Sequence, residues 1–436
     1  MLQSLFNVFK VPELKKKVLF TLGILIVYRL GGHIPTPGIN ATALGEFFAT
    51  RGDTLFGMLD LFVGGNLSKA TIFALGIMPY ITASIVMQLL GGIIPYFEKL
   101  RKQGAEGQKK ITQYTRYGTV LIGTFNAFGI TLFLESIRTP SGLLVVPYPG
   151  LMFKFMTILT FVTGTIFIMW LGEKITEKGI GNGISLIIFI GIIARYPGGF
   201  LNMGKMVISG TMSLMLTLFV LILMVFVTGA VILITEATRK IPVQYAKRVI
   251  GRKIYGGQST HIPLKVNSAG VIPIIFAQSV LMFPQTITTF FPNSEFMNTV
   301  SSWLSPGAFL YTSLYVILIV FFAYFYTAII LNPQDIADNM KKYGGFIPGR
   351  KPGKKTAEYI NNVIVRITLP GAIFFAAIAV MPTFLMKYAR LPFYFGGTGL
   401  IIIVGVALDT LQQIESHLVM RHYDGFMKKG KLKGRR

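Results

Sequence analysis

The sequence has no cysteine, only 2 tryptophans and 4 histidines, and 17 acidic residues against 42 basic ones in a chain of 436 residues. Without cysteine the chain cannot form a disulfide, a thiolate nucleophile or a cysteine-ligated metal site. The histidines are scattered, and none lies in an H-E-x-x-H motif or at another metal-ligand spacing. We therefore expect no metal, no cofactor and no catalytic site of these kinds.

Nucleotide and ion-coupling sites are missing as well. The segment from Gly199 to Lys205 has the spacing of a phosphate loop, but Met206 stands where the magnesium-binding Ser or Thr must be. Carboxylates that couple transport to ions lie near the membrane midplane, whereas Glu236 and Asp409 lie towards the ends of apolar segments. A passive protein is therefore favoured over an ion-coupled transporter of a small solute and over an intramembrane protease.

Long apolar segments and short basic ones alternate along the chain. Hydrophobic residues make up 52% of it, mean hydropathy is +0.61 and the net charge is +25. A bilayer core needs about 20 residues of helix, and the alternation of rich and poor basic segments is the positive-inside pattern. The sequence thus predicts an all-α integral membrane protein with cytoplasmic termini. Its ten predicted spans are 18–34, 71–95, 115–136, 152–172, 183–196, 209–236, 268–290, 308–331, 363–386 and 396–415.

Two of the spans share a Gly-x-x-Pro motif, at Gly76–Pro79 and at Gly270–Pro273. If the chain divides into halves of five helices, about 1–196 and 197–436, these are the second helix of each half. Five crossings invert a half in the membrane, so paired Gly/Pro interruptions predict inverted repeats with a pathway between them. Each Pro is expected to kink its helix. Two unrelated kinked helices are the alternative.

The segment at about 55–66 is apolar but too short to span a bilayer. Its length suits a re-entrant segment buried in the protein, and an amphipathic helix on the outer leaflet is the equal alternative. The residues in question are Leu55, Phe56, Met58, Leu59, Leu61, Phe62, Val63, Gly64 and Gly65.

The largest segments outside the spans, about 237–266 and 332–362, are strongly basic and too small for a separate soluble domain. Basic loops fix topology and attract anionic lipid headgroups. The run from Arg239 to Arg252 exceeds that need, and suits ribosomal RNA or an acidic protein surface.

Several strings resemble the SecY family, the pore subunits of bacterial protein-conducting channels, in order and over nearly the whole chain. They are ALGIMPYITAS at 74–84, QYTRYGT at 113–119, GIGNGIS at 179–185, YAKR at 245–248, QSTH at 258–261, PLKVN at 263–267, NP at 332–333, ADN at 337–339 and PFYFGGT at 392–398.

The resemblance implies two inverted halves of five helices around an hourglass pore that opens laterally between helices 2 and 7. It places the lateral gate at Gly76, Pro79, Thr82, Gly270 and Pro273. The segment 55–65 would be the re-entrant plug. The resemblance also implies a constriction ring of Ile77, Ile81, Ile184, Ile188, Ile275 and Ile402. A ring of branched apolar side chains can stop ions by dewetting.

The resemblance further implies partners and a cellular location. The partners are the small subunits SecE and SecG, the SecA ATPase, the ribosome, signal sequences and unfolded preproteins, in the bacterial plasma (inner) membrane. Docking residues would be Arg239, Lys240, Lys247, Arg248, Arg252, Lys253, Arg350 and Lys351. Bacterial members usually read Arg-Pro-Gly where this chain has Lys351-Pro352-Gly353. Lys lacks the planar fork of Arg, so the contact could fall to Arg350 instead.

Overall fold

The computed structural model describes residues 11–50, 60, 63–137, 142–245, 248–250, 253–255, 259–288, 294–305, 307–389 and 397–429. Helices dominate these residues, and strands occur only in two short sheets. The helices are α1 (Pro12–Gly31), α2 (Ala41–Thr50), α3 (Met78–Ile93), α4 (Pro95–Lys102), α5 (Ala105–Ser136), α6 (Leu151–Lys178), α7 (Gly183–Ile193), α8 (Tyr196–Ile208), α9 (Leu214–Glu236), α10 (Ile272–Thr288), α11 (Glu295–Trp303), α12 (Phe309–Ile330), α13 (Pro333–Lys342), α14 (Lys354–Ala389) and α15 (Gly397–Lys429). The strands are β1 (Thr238–Tyr245), β2 (Arg248–Ile250), β3 (Lys253–Tyr255), β4 (Ser259–Lys265) and β5 (Gly345–Phe346).

The chain forms two compact units. The first contains residues 1–212, 282–306 and 402–436, and the second contains residues 213–281 and 307–401. The predicted division into halves at 196/197 stays a prediction.

The core of the first unit lies where α2, α5 and α6 meet the segment before α3. Leu44, Leu134 and Phe161 belong to it, and each is at most 2% exposed. Apolar side chains recur on several faces of α5 and α6, because each helix packs on protein along one face and leaves other apolar side chains exposed. Exposed leucines and phenylalanines over such lengths are typical of helices in contact with lipid.

Seven helical segments of the described residues are long and apolar enough to cross a membrane. They are Ala105–Ser136, Leu151–Lys178, Gly183–Ile208, Leu214–Glu236, Phe309–Lys342, Lys354–Leu385 and Gly397–Val419. The helices α3 and α4 are bent by 97° relative to each other, and if this pair counts as one span the number is eight. The class of all-helical, multi-pass membrane protein is confirmed, while the count of ten stays a prediction.

Each predicted span nevertheless has a helix at its position, and two of these helices fall short of the span criteria for a physical reason. α1 carries Lys15, Lys16 and Lys17 in its first turns and Arg29 near its end. α10 has 17 residues, fewer than the roughly 20 that a bilayer core needs.

The two large loops pair with each other in the second unit. β1 pairs with β4 in antiparallel register from Thr238↔Lys265 to Gln244↔Ser259. On its other edge β1 pairs with β5, at Gln244↔Phe346 and Tyr245↔Gly345. The segments 237–266 and 332–362, which the sequence offered as separate loops, thus build one small module. We call this sheet, with α13 and the start of α14, the loop module.

Candidate functional site

The two Gly-x-x-Pro motifs adopt the same local structure, and it differs from the expected kink. Gly76 has φ +56° and Gly270 has φ +63°, and α3 and α10 begin two residues later, at Met78 and Ile272. Pro79 and Pro273 are therefore the second residues of their helices. The first turn needs no intrahelical N–H from them, so Pro causes no kink there. The prediction that Pro79 and Pro273 kink their helices is wrong, because each stands in the first turn and non-helical backbone precedes both helices.

The similarity between the two Gly-x-x-Pro motifs is closer than the sequence predicts. In both motifs a glycine with positive φ ends a non-helical stretch, and a proline then starts a short apolar helix. Prolines that do lie inside helices are found elsewhere, at Pro284, Pro370 and Pro382. Irregular backbone at membrane depth is tolerated only where protein buries it or where it lines a water-filled cavity.

The predicted ring isoleucines are mostly buried. Ile77, Ile81, Ile188, Ile275 and Ile402 have exposed fractions of 4%, 5%, 4%, 7% and 0%. Ile275 belongs to the second unit and the others to the first. On α3, the N–H of Ile81 donates to the carbonyl of Ile77 over 3.1 Å, so the two side chains share one helix face. Their assembly into a ring stays a prediction.

Ile184, the half-buried member of the predicted ring, lines a cavity of about 810 Å³ in the first unit. Tyr80 and Asn182 line the same cavity, together with Arg116 and Glu173. The guanidinium of Arg116 donates two hydrogen bonds to Glu173, of 2.9 and 2.7 Å. The first unit thus places a polar, charged cavity beside one predicted ring residue.

The glycine-rich turn that precedes α7 is a packed junction. The N–H of Ile180 donates to Oγ1 of Thr21 over 3.1 Å, and that of Gly181 to Oε1 of Gln413 over 2.9 Å. The N–H of Gly183 donates to Oγ1 of Thr176 over 2.9 Å. These backbone donors are already bonded to side chains of α1, α15 and α6, so the turn offers no cradle for a phosphate. It fixes the start of the helix that carries Ile184 and Ile188.

Of the predicted plug, Leu55, Phe56, Met58, Leu59, Leu61 and Phe62 lie outside the described residues. Val63 is 3% exposed, and Gly64 and Gly65 have φ of +75° and +84°. A Cβ on Gly64 would lie 2.8 Å from Cα of Gly191 in α7. The C-terminal end of the segment is therefore buried in protein, which favours the buried alternative over a helix on the membrane surface for these three residues.

Gly76, one of the predicted gate residues, lies against that same end of the segment. A Cβ on Gly76 would lie 2.9 Å from Cγ1 of Val63. Thr82, half-buried on α3, donates to the carbonyl of Met78 over 3.2 Å. Such a bond within the helix leaves its lateral surface apolar.

Sequence reasoning missed an ion pair next to the plug. Asp60 is 1% exposed, and its Oδ2 lies 3.1 Å from Nη2 of Arg195. A single acidic residue within an apolar segment was the signal for it. The partner could not be inferred, because Arg195 lies 135 positions further along the chain.

Two of the predicted docking residues, Arg239 and Lys240, lie on the loop module. Arg239 and Lys240 are exposed on β1, while Ile241 and Val243 are buried. The apolar core beneath them includes Leu264, Met340 and Ile360. Lys247 and Arg252 lie outside the described residues; Arg248 lies in β2 and Lys253 in β3, and their side chains are not described.

Arg350 and Lys351 differ in their surroundings. The guanidinium carbon of Arg350 lies 5.0 Å from the centre of the Tyr359 ring, within range of a cation–π interaction. The Lys351 side chain is exposed, and its backbone carbonyl accepts a hydrogen bond of 3.0 Å from Thr356. Both residues are therefore exposed, and Arg350 in addition lies over an aromatic ring of the module.

The family model for SecY matches residues 71–411 of the chain. The chain is 44% identical over 430 residues to the protein translocase subunit SecY of Aquifex aeolicus, covering 98% of this chain and 100% of the relative. It is 45% identical over 425 residues to that of Escherichia coli K12, covering 97% and 96%.

Solved structures share the fold at low identity. A structure described as a protein conducting channel has a TM-score of 0.64 at 18% identity, and one concerning the plug domain of the SecY protein has 0.66 at 20%. A channel of the canine ribosome-channel complex from the endoplasmic reticulum has 0.62 at 17%. Each covers 92% of both chains. With a family model and near-full-length relatives in agreement, the chain belongs to the SecY family of protein translocase subunits.

Proposed function

We propose that the chain is the passive channel subunit of a bacterial protein translocase. Unfolded secretory polypeptides cross the membrane through it, and apolar segments leave it sideways into lipid. The observation that carries the proposal is the matched pair of helix starts at Gly76–Pro79 and Gly270–Pro273. Two short helices preceded by buried, non-helical backbone suit a pathway between inverted halves better than a lipid-facing surface.

The seal is a ring of aliphatic side chains, for which Ile77, Ile81, Ile184, Ile188, Ile275 and Ile402 are proposed. The role rests on the family resemblance, and burial of five of them agrees with side chains that exclude water. Apolar constrictions block ions by dewetting, and branched side chains without polar atoms can move aside for an extended peptide.

The ring is tested by substitutions that should let water into the constriction. Ile81→Ser with Ile275→Ser should raise the ion conductance of reconstituted channels, because hydroxyls stabilise water in the constriction. Ile222→Ser is the matched control, since Ile222 is 68% exposed on α9. Unchanged conductance in the double variant, also after removal of residues 55–62, would contradict the ring.

The segment 55–65 is proposed as the plug. One structural neighbour carries the description that the plug domain of the SecY protein stabilises the closed state of the translocation channel and maintains a membrane seal. In this chain, burial of Val63 and the contact of Gly64 with α7 support a segment that ends inside the protein.

Lateral opening is proposed between α3 and α10. Cysteines at Ser84 and Ser279 report on it without interference, because the chain has no cysteine of its own. Crosslinking should stop export of a secretory protein, and reduction should restore it. Full export through a quantitatively crosslinked channel would contradict a lateral gate at these positions.

The loop module is proposed to dock the ribosome and the SecA ATPase, which supply the energy that a passive channel lacks. Exposed Arg239 and Lys240 suit ribosomal RNA phosphates, and one structural neighbour comes from a ribosome-channel complex. Lys351 is proposed for the SecA contact, since Arg350, although also exposed, lies over the Tyr359 ring. SecE and SecG are proposed as membrane partners.

The proposed place is the bacterial plasma membrane, with both termini and the loop module in the cytoplasm and anionic lipids around the basic segments. The positive-inside pattern supports this orientation. Protease added to inverted membrane vesicles should cut the loop module, whereas protease added to spheroplasts should not. Cleavage in spheroplasts alone would contradict the orientation.

A further inference from the structure

One carboxylate is buried in a segment that is otherwise apolar. The side chain of Asp60 is 2% exposed, and that of its partner Arg195 is 39% exposed. The other oxygen of Asp60, Oδ1, accepts a hydrogen bond of 2.8 Å from the backbone N–H of Ser68. One cation and one backbone donor thus hold the carboxylate within the first unit.

The pair joins two distant parts of the chain. Asp60 lies in the middle of the predicted plug, and Arg195 lies between the end of α7 and the start of α8. α7 is also the helix that carries the predicted ring residues Ile184 and Ile188. The charge contact therefore joins the middle of the predicted plug to the end of a proposed ring helix.

Close packing accompanies the ion pair. Gly64 and Gly191 lie so near each other that a Cβ on Gly64 would be 2.8 Å from Cα of Gly191. Nδ2 of Asn66 donates to the carbonyl of Val63 over 2.8 Å, and its contact with the hydroxyl of Tyr28 is 3.4 Å. The stretch from Val63 to Asn66 thus packs against α1 and α7.

We propose that Asp60 and Arg195 form an ion-pair lock, which holds the plug next to the end of α7 in the closed channel and separates when the plug leaves. The inference rests on the proposed role of 55–65 as a plug. A well-packed apolar pair often stabilises a protein as much as a buried ion pair does. An ion pair differs in its separated state, because both charges can then be hydrated, whereas an apolar pair would expose hydrophobic surface to water.

The lock is tested with Arg195→Gln, Asp60→Asn and the double variant, reconstituted with the small subunits into lipid vesicles. Each should increase ion leak about tenfold over the parent, equivalent to about 1.4 kcal/mol, and should raise export of a secretory protein with a weakened signal sequence. Arg195→Lys keeps the charge and should stay within about twofold of the parent. Lys69→Gln is the matched control, since Lys69 is an exposed cation in the same stretch.

The double variant separates the lock from a general loss of stability. If the pair only neutralises a buried charge, Arg195→Gln alone is harmful, while Asp60→Asn and the double variant behave like the parent. That pattern overturns the lock. Thermal unfolding in detergent and protease mapping verify that every variant is folded and inserted.

Deleting residues 55–59, which leaves Asp60 in place, tests the plug separately from the ion pair. A leak after the deletion, with none in the three lock variants, overturns the lock and leaves the plug standing. No leak after the deletion overturns the plug role itself. Equal leak in the two single variants and the double variant, without further increase when the deletion is added, is the result that supports the lock.

Discussion

Gly76→Ala adds one methyl group, and this addition has two separate costs in free energy. Gly76 has φ +56°, a conformation that costs an L-residue about 1–2 kcal/mol. The new Cβ would also lie 2.9 Å from Cγ1 and 3.3 Å from Cγ2 of Val63. Val63 is 3% exposed, so it has little room to yield, and overpacking of this kind costs about 1–3 kcal/mol.

The two costs act on different equilibria. The φ cost belongs to the start of α3 and lowers the stability of the folded unit. The overlap belongs to the contact between α3, the proposed gate helix, and the end of the proposed plug, and moving Val63 away relieves it. The overlap of about 1–3 kcal/mol changes a population about 5- to 150-fold. Gly76→Ala should therefore lower the unfolding midpoint in detergent and increase ion leak by about that factor.

A double-mutant cycle isolates the overlap. In Val63→Ala with Gly76→Ala, the methyl groups that clash are gone and only the φ cost remains, so we expect a favourable coupling of about 1–3 kcal/mol. Gly91→Ala is the control on the same helix, where a Cβ meets no atom within 4 Å. Additive effects in the cycle, or parental leak and stability in Gly76→Ala, would refute the reasoning.

Three further outcomes are expected. Ile360→Asp buries a charge in the core of the loop module, where Ile360 is 1% exposed. The affinity for ribosomes should fall more than tenfold, while protease mapping shows an unchanged topology. An unchanged affinity would contradict docking through the module. Tyr359→Leu removes a cation–π contact worth about 0.5–1 kcal/mol and frees the Arg350 side chain. Lys351→Gln should lower SecA-driven export, and adding Tyr359→Leu should partly restore it. No recovery would show that Arg350 cannot substitute for Lys351. Glu173→Gln breaks the pair with Arg116, whose side chain is 50% exposed, so the free energy of unfolding should fall by no more than about 1 kcal/mol; a much larger loss in calorimetry would contradict solvent screening of this pair.

Composition and periodicity predict the helices well and their beginnings poorly. The predicted span 308–331 matches α12, Phe309–Ile330, because a bilayer length of apolar residues is a property of the local sequence. Span 71–95 begins too early by seven residues, because 71–77 is apolar yet not helical. The positive φ of Gly76 decides this, and hydropathy does not report it.

The candidate site depended on contacts between distant residues. The period-2 alternation of Ile241 and Val243 is visible in the sequence, but β5 has only two residues and pairs with β1 about 100 positions away. Pairing of that kind is not encoded in any short window. The ring isoleucines rest on the family resemblance alone, since buried isoleucines occur throughout the chain.

The contacts that matter most near the proposed plug are of a kind that sequence scales do not record. Gly64 touches Gly191 backbone to backbone, Gly76 adjoins Val63, and Asp60 reaches Arg195. On hydropathy scales these glycines are neutral and the charged pair is unfavourable. The glycines allow two backbone segments to approach closely, and the charged pair forms a contact that water can replace. Both effects follow from the tertiary arrangement. In the proposed closed state, few and modest interactions hold the end of the proposed plug, so single substitutions at these positions should shift its population measurably.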